Sequence, residues 1–339
     1  MLKFNLINFF LLGLLFQSAY AQPQRDGSQL SYDALLSNYR YTFDVNYFPF
    51  ESQNTTLKMA YTYLEGDPDK PVVTLMHGKN FIGDYWASTA KFLKSQGYSV
   101  LIPDQIGFGK SSKPPGYQYS FAALANNTRK LMAALGIKKS IVVGHSMGGM
   151  LASRFALLYP EITQQLILIN PIGLENYLQY VEYKDIDFFY KNELSNTAEK
   201  IRNYQRRNYY DGKWKDLYES LITYKIGQLS GPDKDLLAWV NAKTYDMIFT
   251  QPVITEFKNL VVPVTLIIGT RDRTAPGRNW KKPGVDYELG RFDLLGKKAV
   301  KIIPNATLYE LHGLGHLPQI ENFPKFKETL AKALSIANN

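Results

Sequence analysis

The sequence predicts an α/β fold: a mostly parallel central sheet with helices on both faces, into which a mainly helical segment is inserted. Three observations predict it. Short β-branched apolar runs alternate with helical patterns through the first half of the chain, the rhythm of strands joined by crossover helices. One of these runs, Ile141-Val142-Val143, passes directly into Gly144-His145-Ser146-Met147-Gly148-Gly149 and then into a helical pattern at Met150, Leu151, Phe155, Ala156 and Leu158. The alternation stops near Gly173 and resumes with a buried run at 262–269; between them, charged and aromatic residues mix at helical spacings.

The chain opens with Lys3, an almost uninterrupted apolar run at 6–16, and Ala19-Tyr20-Ala21 before Gln22. A positive start, a short apolar stretch and a small-x-small site make a secretory signal peptide over 1–21, cleaved after Ala21. The expectation is an exported chain, periplasmic or secreted. The apolar run is short for a membrane span. Retention as an anchor is the alternative; after cleavage no stable membrane insertion is expected. Residues 22–39 are polar and read as an extended lead-in. Alternating patterns at 41–50 and 55–64 predict an antiparallel pair at a sheet edge. Asp67-Pro68-Asp69 turns the chain into a buried strand at 71–76, which ends in His77-Gly78-Lys79-Asn80. A helix at 85–97, a strand at 98–102, a helix at 120–135, a strand at 139–144, a helix at 147–159 and a strand at 164–170 follow. The core therefore divides into 22–172 and 259–339, with 173–258 as a helical cap. The second part holds strands at 262–269 and 306–311 and a closing helix at 320–336.

Composition narrows the chemistry. With 339 residues, 45% of them hydrophobic, the chain can bury a large core. It has no cysteine, which excludes a thiol nucleophile and thiolate metal sites. The net charge of +9 is scattered in pairs such as Lys138-Lys139, Arg206-Arg207 and Lys297-Lys298. This reads as a solvated basic surface; no motif accompanies it, and no nucleic-acid partner is expected.

A sharp strand-turn-helix carrying a serine at its apex lifts the hydroxyl out of the backbone beside a helix N-terminus. Serine is a weak nucleophile and needs a base, itself oriented by a third group. Of the four histidines, His145 lies inside the turn and points away from the hydroxyl, and His77 braces the loop after its strand. His316, in a glycine-rich loop (Gly313-Leu314-Gly315) after the last strand, is the candidate base, with His312 the alternative. Asp272, just past the strand at 262–269, is the candidate orienting acid; Asn170-Pro171 after the preceding strand offers no carboxylate, which leaves Glu175 second. The tetrahedral oxyanion of acyl transfer needs backbone donors. The N–H of Met147 and that of Lys79 are the candidates, with Asn80 shaping the loop.

The set Gly-His-Ser-Met-Gly-Gly, the His77-Gly78 loop, Asp104-Gln105-Ile106-Gly107-Phe108-Gly109-Lys110-Ser111, Gly269-Thr270-Arg271-Asp272 and the final Gly315-His316 resembles the α/β-hydrolase superfamily, as does the chain order serine, acid, histidine. The likeness covers nearly all of the chain after residue 21, with 173–258 in the place of the family's cap. It implies a capped serine hydrolase that cleaves a carboxylic ester or related acyl compound through an acyl-enzyme, with no cofactor and no metal. Lactone or amide hydrolysis and cofactor-free perhydrolysis use the same triad. A ligand-binding protein that kept the fold is the alternative of another class. Dehalogenases and soluble epoxide hydrolases of the superfamily carry aspartate where this chain has Ser146. The loop His-Gly-Lys-Asn is not the Gly-Pro-rich loop of its carbon–carbon bond hydrolases. The segment between Asp272 and His316 is long and extends toward the pocket rim. Candidate substrate contacts are Phe81, Trp86, Ile106 and Met150 from the core, and Tyr209, Tyr210, Trp214 and Tyr245 from the cap. The expected substrate is small, with a modest hydrophobic acyl or alkyl group.

Overall fold

A computed structural model describes residues 30–335; the signal peptide expected over 1–21 lies outside the described residues. Eight strands form one sheet in the order β1-β2-β4-β3-β5-β6-β7-β8. They are β1 (Asn46–Ser52), β2 (Thr55–Leu64), β3 (Val72–Met76), β4 (Ser99–Pro103), β5 (Ser140–His145), β6 (Thr163–Ile169), β7 (Val264–Gly269) and β8 (Ala306–Leu311). β1 and β2 are antiparallel, as are β2 and β4; every later pair is parallel. The parallel strands are buried on both faces. Ile141 and Val143 enter one apolar cluster and Val142 the other, the alternation that a period of two dictates.

The helices are α1 (Ala87–Ser95), α2 (Phe121–Ala134), α3 (Met147–Leu158), α4 (Ile186–Leu194), α5 (Ala198–Asn208), α6 (Asp216–Ser220), α7 (Thr223–Leu229), α8 (Lys234–Thr250), α9 (Phe292–Ala299), α10 (Pro318–Glu321) and α11 (Phe323–Ser335). Ser120, Asp185 and Thr197 cap α2, α4 and α5, each accepting from the N–H three residues on, which satisfies a donor the helix start would orphan. α2, α3 and α9 supply Leu131, Phe155 and Leu295 to one face of the sheet; α1 and α11 supply Leu93 and Leu330 to the other. Between β6 and β7 the chain is helical, from α4 to α8. Among the described residues no helix is long and apolar enough to cross a membrane.

Most boundaries shift by one or two residues from expectation; three changes are larger. β1 starts at Asn46 rather than 41, because Tyr41 is turned inward to donate to Asp104 at 2.7 Å and the Thr42 N–H is held by Asp84 at 2.6 Å. The helix expected at 85–97 opens as a 3-10 turn, Gly83–Trp86, before α1. The closing helix breaks at Asn322, because Pro324 has no N–H to continue the ladder.

The lead-in is a strap across the helical insertion. The Tyr32 N–H donates to Gly227 O at 3.1 Å, Gln228 Nε2 to Asp33 O at 3.2 Å and the Ala34 N–H to Asp233 Oδ2 at 2.7 Å. Leu36, fully buried, packs with Ile82 and Tyr224.

Candidate active site

The turn between β5 and α3 is held by close backbone approach. A Cβ on Gly144 would lie 2.2 Å from Gly148 O, one on Gly148 2.3 Å from Met76 O, and one on Gly149 2.5 Å from Pro171 Cβ. No side chain fits at any of the three. The turn forces Ser146 to φ 56°, ψ −124°, a backbone region non-glycine residues rarely occupy and one that marks functional sites. The Ser146 Oγ points away from the sheet to His316.

Ser146, His316 and Asp272 meet in one hydrogen-bonded line. His316 Nε2 is 2.9 Å from Ser146 Oγ, and Nδ1 is 2.7 Å from Asp272 Oδ2. An ionised carboxylate only accepts, so Nδ1 carries the proton and Nε2 is free to accept from the serine. Asp272 Oδ1 accepts from the Thr274 N–H at 2.7 Å. Burial works to raise the Asp272 carboxyl, but the facing imidazole, its hydrogen bond and the Thr274 bonds outweigh it and hold the group below its ordinary value. Arg271 and Arg273 do not neutralise Asp272 side on: Arg271 pairs with Glu321, and Arg273 donates to the Thr270 and Asp272 carbonyls.

The histidine loop turns inward: His312 and Gly313 are exposed, while the next three residues are buried. His316 is fully buried. Arg271 Nε binds Gly313 O at 2.9 Å, Glu321 accepts from the Gly315 N–H at 2.8 Å, and the Tyr209 ring stacks on the imidazole at 4.6 Å. Gly315 admits this cover, since a Cβ there would lie 2.2 Å from Tyr209 O. His312 is exposed, whereas Ser146, Asp272 and His316 are all buried. Glu175 is also elsewhere: it accepts from the Gly290 N–H at 3.1 Å and ties the loop after β6 to the long segment before α9, burial raising its carboxyl.

Two polar supports could not be read from the chain. Asn170, fully buried, donates through Nδ2 to Asp272 Oδ2 at 2.9 Å and accepts from the Gly269 N–H at 2.8 Å. The position that offered no acid therefore steadies the acid on the next strand. The second support runs through His145. Its Nε2 lies 2.8 Å from His316 O and its Nδ1 3.0 Å from Tyr85 Oη, which also accepts from the Gly78 N–H at 3.3 Å. A carbonyl only accepts, so Nε2 carries the proton and Tyr85 donates to Nδ1. Burial, with the nearby His316 ring, holds His145 well below its ordinary pKa and hence neutral. This relay joins the Gly78 loop to the backbone of His316. Tyr85→Phe is expected to cost about 1–3 kcal/mol of stability, because it strands a buried acceptor and a buried N–H. It should also lower kcat more than it raises KM. Thermal unfolding with steady-state kinetics checks this, and an unchanged kcat would confine the relay to stability.

Gly78 brings its loop to the serine: a Cβ there would lie 3.1 Å from Ser146 Cβ. Met147, first residue of α3, has no intrahelical acceptor for its N–H. His77 braces the loop, as expected, accepting the Gln105 N–H at 3.1 Å. The Lys79 side chain runs away to α8, donating to Asn241 O at 2.8 Å.

Of the expected substrate contacts, Tyr245 lines a pocket of about 390 Å³ together with Asn80, Tyr204, Gln205, Lys225 and Trp280. Trp280 comes from the long segment after Asp272; none of Ser146, Asp272 and His316 lines this pocket. The wall is partly polar, because the last turn of α4 contributes Asn192 and Glu193 and the turn after it Asn196. Phe81 stacks on Tyr85 at 4.8 Å and lines a separate small cavity. Trp86 is buried behind the elbow, edge-on to His145 at 6.2 Å. Ile106 is core, and Met150 is core beneath Gly173. Tyr210 packs inward, stacked on Tyr218 at 3.6 Å with Trp214 beside it. These are packing residues; only the orientation of each helix decides which aromatic faces the pocket. No group of three or more metal-ligating side chains occurs among the described residues.

The chain belongs to the alpha/beta hydrolase fold family, whose sequence pattern matches residues 71–323. It is 42% identical to a probable hydrolytic enzyme from Pseudomonas aeruginosa PAO1 of known structure, superposing with a TM-score of 0.88 over 91% of this chain and 99% of that one. An esterase from Exiguobacterium antarcticum, 15% identical with a TM-score of 0.64 over 84% and 97% of the two chains, shares the fold. Curated relatives match over shorter stretches. An uncharacterized protein of Mycobacterium bovis is 38% identical over 104 residues, 31% of this chain and 30% of that one. A fluoroacetate dehalogenase from a Burkholderia species is 35% identical over 123 residues, 35% and 38% of the two. The chain thus spans about a third of the length of these curated relatives.

Proposed function

We propose that the chain is a serine hydrolase that cleaves a carboxylic ester or related acyl compound. The observation that carries this reading is the unbroken line Ser146 Oγ, His316, Asp272, with the tautomer already set for proton transfer. Ser146 Oγ attacks the carbonyl carbon as His316 Nε2 takes its proton. The C–O bond to the alcohol breaks and the leaving oxygen receives that proton. Water then attacks the acyl-enzyme through the same base and releases the acid. Asp272 stabilises the imidazolium without taking the proton. The N–H groups of Met147 and Lys79 stabilise the oxyanion, and no metal or cofactor enters the sequence. Residues 173–258 act as the cap.

The dehalogenase activity in one relative's name is disfavoured by Ser146, since dehalogenases of this superfamily use aspartate there. Lactone or amide hydrolysis and perhydrolysis remain within the same machinery. The test is turnover of p-nitrophenyl esters of increasing acyl length, with fluorophosphonate labelling of Ser146 alongside. Turnover with a chain-length optimum is expected. Labelling without ester turnover would redirect the substrate to lactones or amides. A folded protein that neither labels nor turns over would sink the enzyme reading in favour of a binding protein.

A further inference from the structure

The 390 Å³ pocket and the reactive serine are joined through one side chain, that of Tyr209. The pocket wall includes Asn80 and Tyr204, and both meet Tyr209. Asn80 Nδ2 donates to the Tyr209 hydroxyl at 3.1 Å, and the Tyr204 ring lies edge-on to the Tyr209 ring at 5.5 Å. The same Tyr209 ring lies on the His316 imidazole at 4.6 Å, and His316 Nε2 is 2.9 Å from Ser146 Oγ. Tyr209 therefore reaches from the base to the residue after Lys79, the two sides between which an attacked carbonyl would sit. Behind this cover Ser146 keeps 7% of its surface and His316 none.

The backbone under the ring is fixed. The Tyr209 N–H donates to Gln205 O at 2.8 Å, and its carbonyl oxygen is pressed so close to Gly315 that a Cβ there would lie 2.2 Å away. What can move is the side chain. Its hydroxyl is tied to the Asn80 amide, and Lys225 Nζ fixes that amide from its other end, donating to Asn80 Oδ1 at 3.1 Å. Lys225 also lines the pocket, so the tie that holds the ring is built from the pocket wall.

We propose that Tyr209 is the gate between this pocket and Ser146. Its ring swings off the imidazole to admit an acyl group, and its hydrogen bond to Asn80 holds it shut. The gate rests on Ser146 being the nucleophile and adds the residue that controls access to it. A ligand in the pocket that accepts a hydrogen bond from the Asn80 amide competes with the Tyr209 hydroxyl, so occupation of the pocket favours opening. With the closed arrangement dominant, the rate at which a probe reaches Ser146 scales with the open fraction, and weakening the tie raises it.

The experiment is the second-order rate of Ser146 labelling by an alkyl fluorophosphonate at low probe concentration, in the full chain and in variants whose fold is checked by unfolding curves. Tyr209→Phe keeps the ring on the imidazole and removes the hydroxyl. Labelling is expected to quicken by about 2- to 10-fold, the worth of one neutral hydrogen bond. Lys225→Met loosens the Asn80 amide and should act in the same direction; it carries the comparison if Tyr209→Phe does not fold. A ring that only steadied His316 would give the opposite sign, because loosening the base slows attack. Labelling of wild type with no gain in the folded variant overturns the gate and leaves the hydrolase reading standing. An unlabelled wild type beside a labelled variant supports the gate. Absence of labelling in every folded protein overturns the nucleophile and the gate together.

Discussion

Ser146→Ala is expected to reduce kcat by a factor on the order of 10⁶ while leaving the fold intact. His316→Ala should cost about as much, and the double variant little more than either alone, because nucleophile and base act as one unit. Neither change should unfold the chain. Ser146 is held by glycines 144, 148 and 149 pressed against backbone, not by its hydroxyl. His316 contributes a ring to a stack with Tyr209, but its loop is tied independently by Arg271 and Glu321. Kinetics of the three purified variants against unfolding curves check both halves. Near-normal turnover in folded His316→Ala would reject His316 as the base.

Gly148→Ala attacks the same site from the scaffold. The new methyl would lie 2.3 Å from Met76 O and 2.6 Å from His77 O, and both partners are backbone at the end of a central strand. Neither can rotate away, so α3 or β3 must shift. A cost of about 3 kcal/mol is expected for this overpacking, visible as a Tm fall of roughly 5–10 °C. Because His77 leads into Gly78 and Lys79, the shift also displaces the Gly78–Lys79 loop relative to Ser146, and turnover should fall with stability. Gly116→Ala is the control: nothing lies within 4 Å of a Cβ there, and its effect should stay within about 0.5 kcal/mol. A Gly148→Ala protein as stable as the control would mean that the helix and sheet are not packed as tightly as described.

Much of this was legible because it is local. A β-branched run, a Gly-x-Ser-x-Gly turn and a helical pattern locate β5, Ser146 and α3 without any tertiary information. Asp272 and His316 followed from their places after apolar strands. What was missed is polar, buried and long-range. Asn170 resembles an ordinary loop residue until β6 and β7 are adjacent. Tyr85 and His145 are 60 residues apart in sequence, and no spacing rule links them. Lys79 was read for its N–H alone, since nothing nearby in sequence shows that its side chain is buried under α8. The aromatics of the helical insertion were ambiguous for a related reason. Tyr209 and Tyr210 are neighbours on one turn, yet one covers the imidazole and the other packs against Tyr218.

The strap at the start of the described chain acts as a cross-link without sulfur. Residues 33 and 34 reach partners 195 and 199 positions away, so they close a ring that holds nearly the whole first half of the core and most of the helical insertion. Because closure entropy grows only slowly with ring size, so wide a ring costs little more than a narrow one. A disulfide would do the same work by covalent constraint, and its survival would depend on redox conditions. This chain has no cysteine. Its ring is closed by hydrogen bonding and packing alone, independently of redox conditions, and its tightness is set by how well Tyr32 and Leu36 seat against α7.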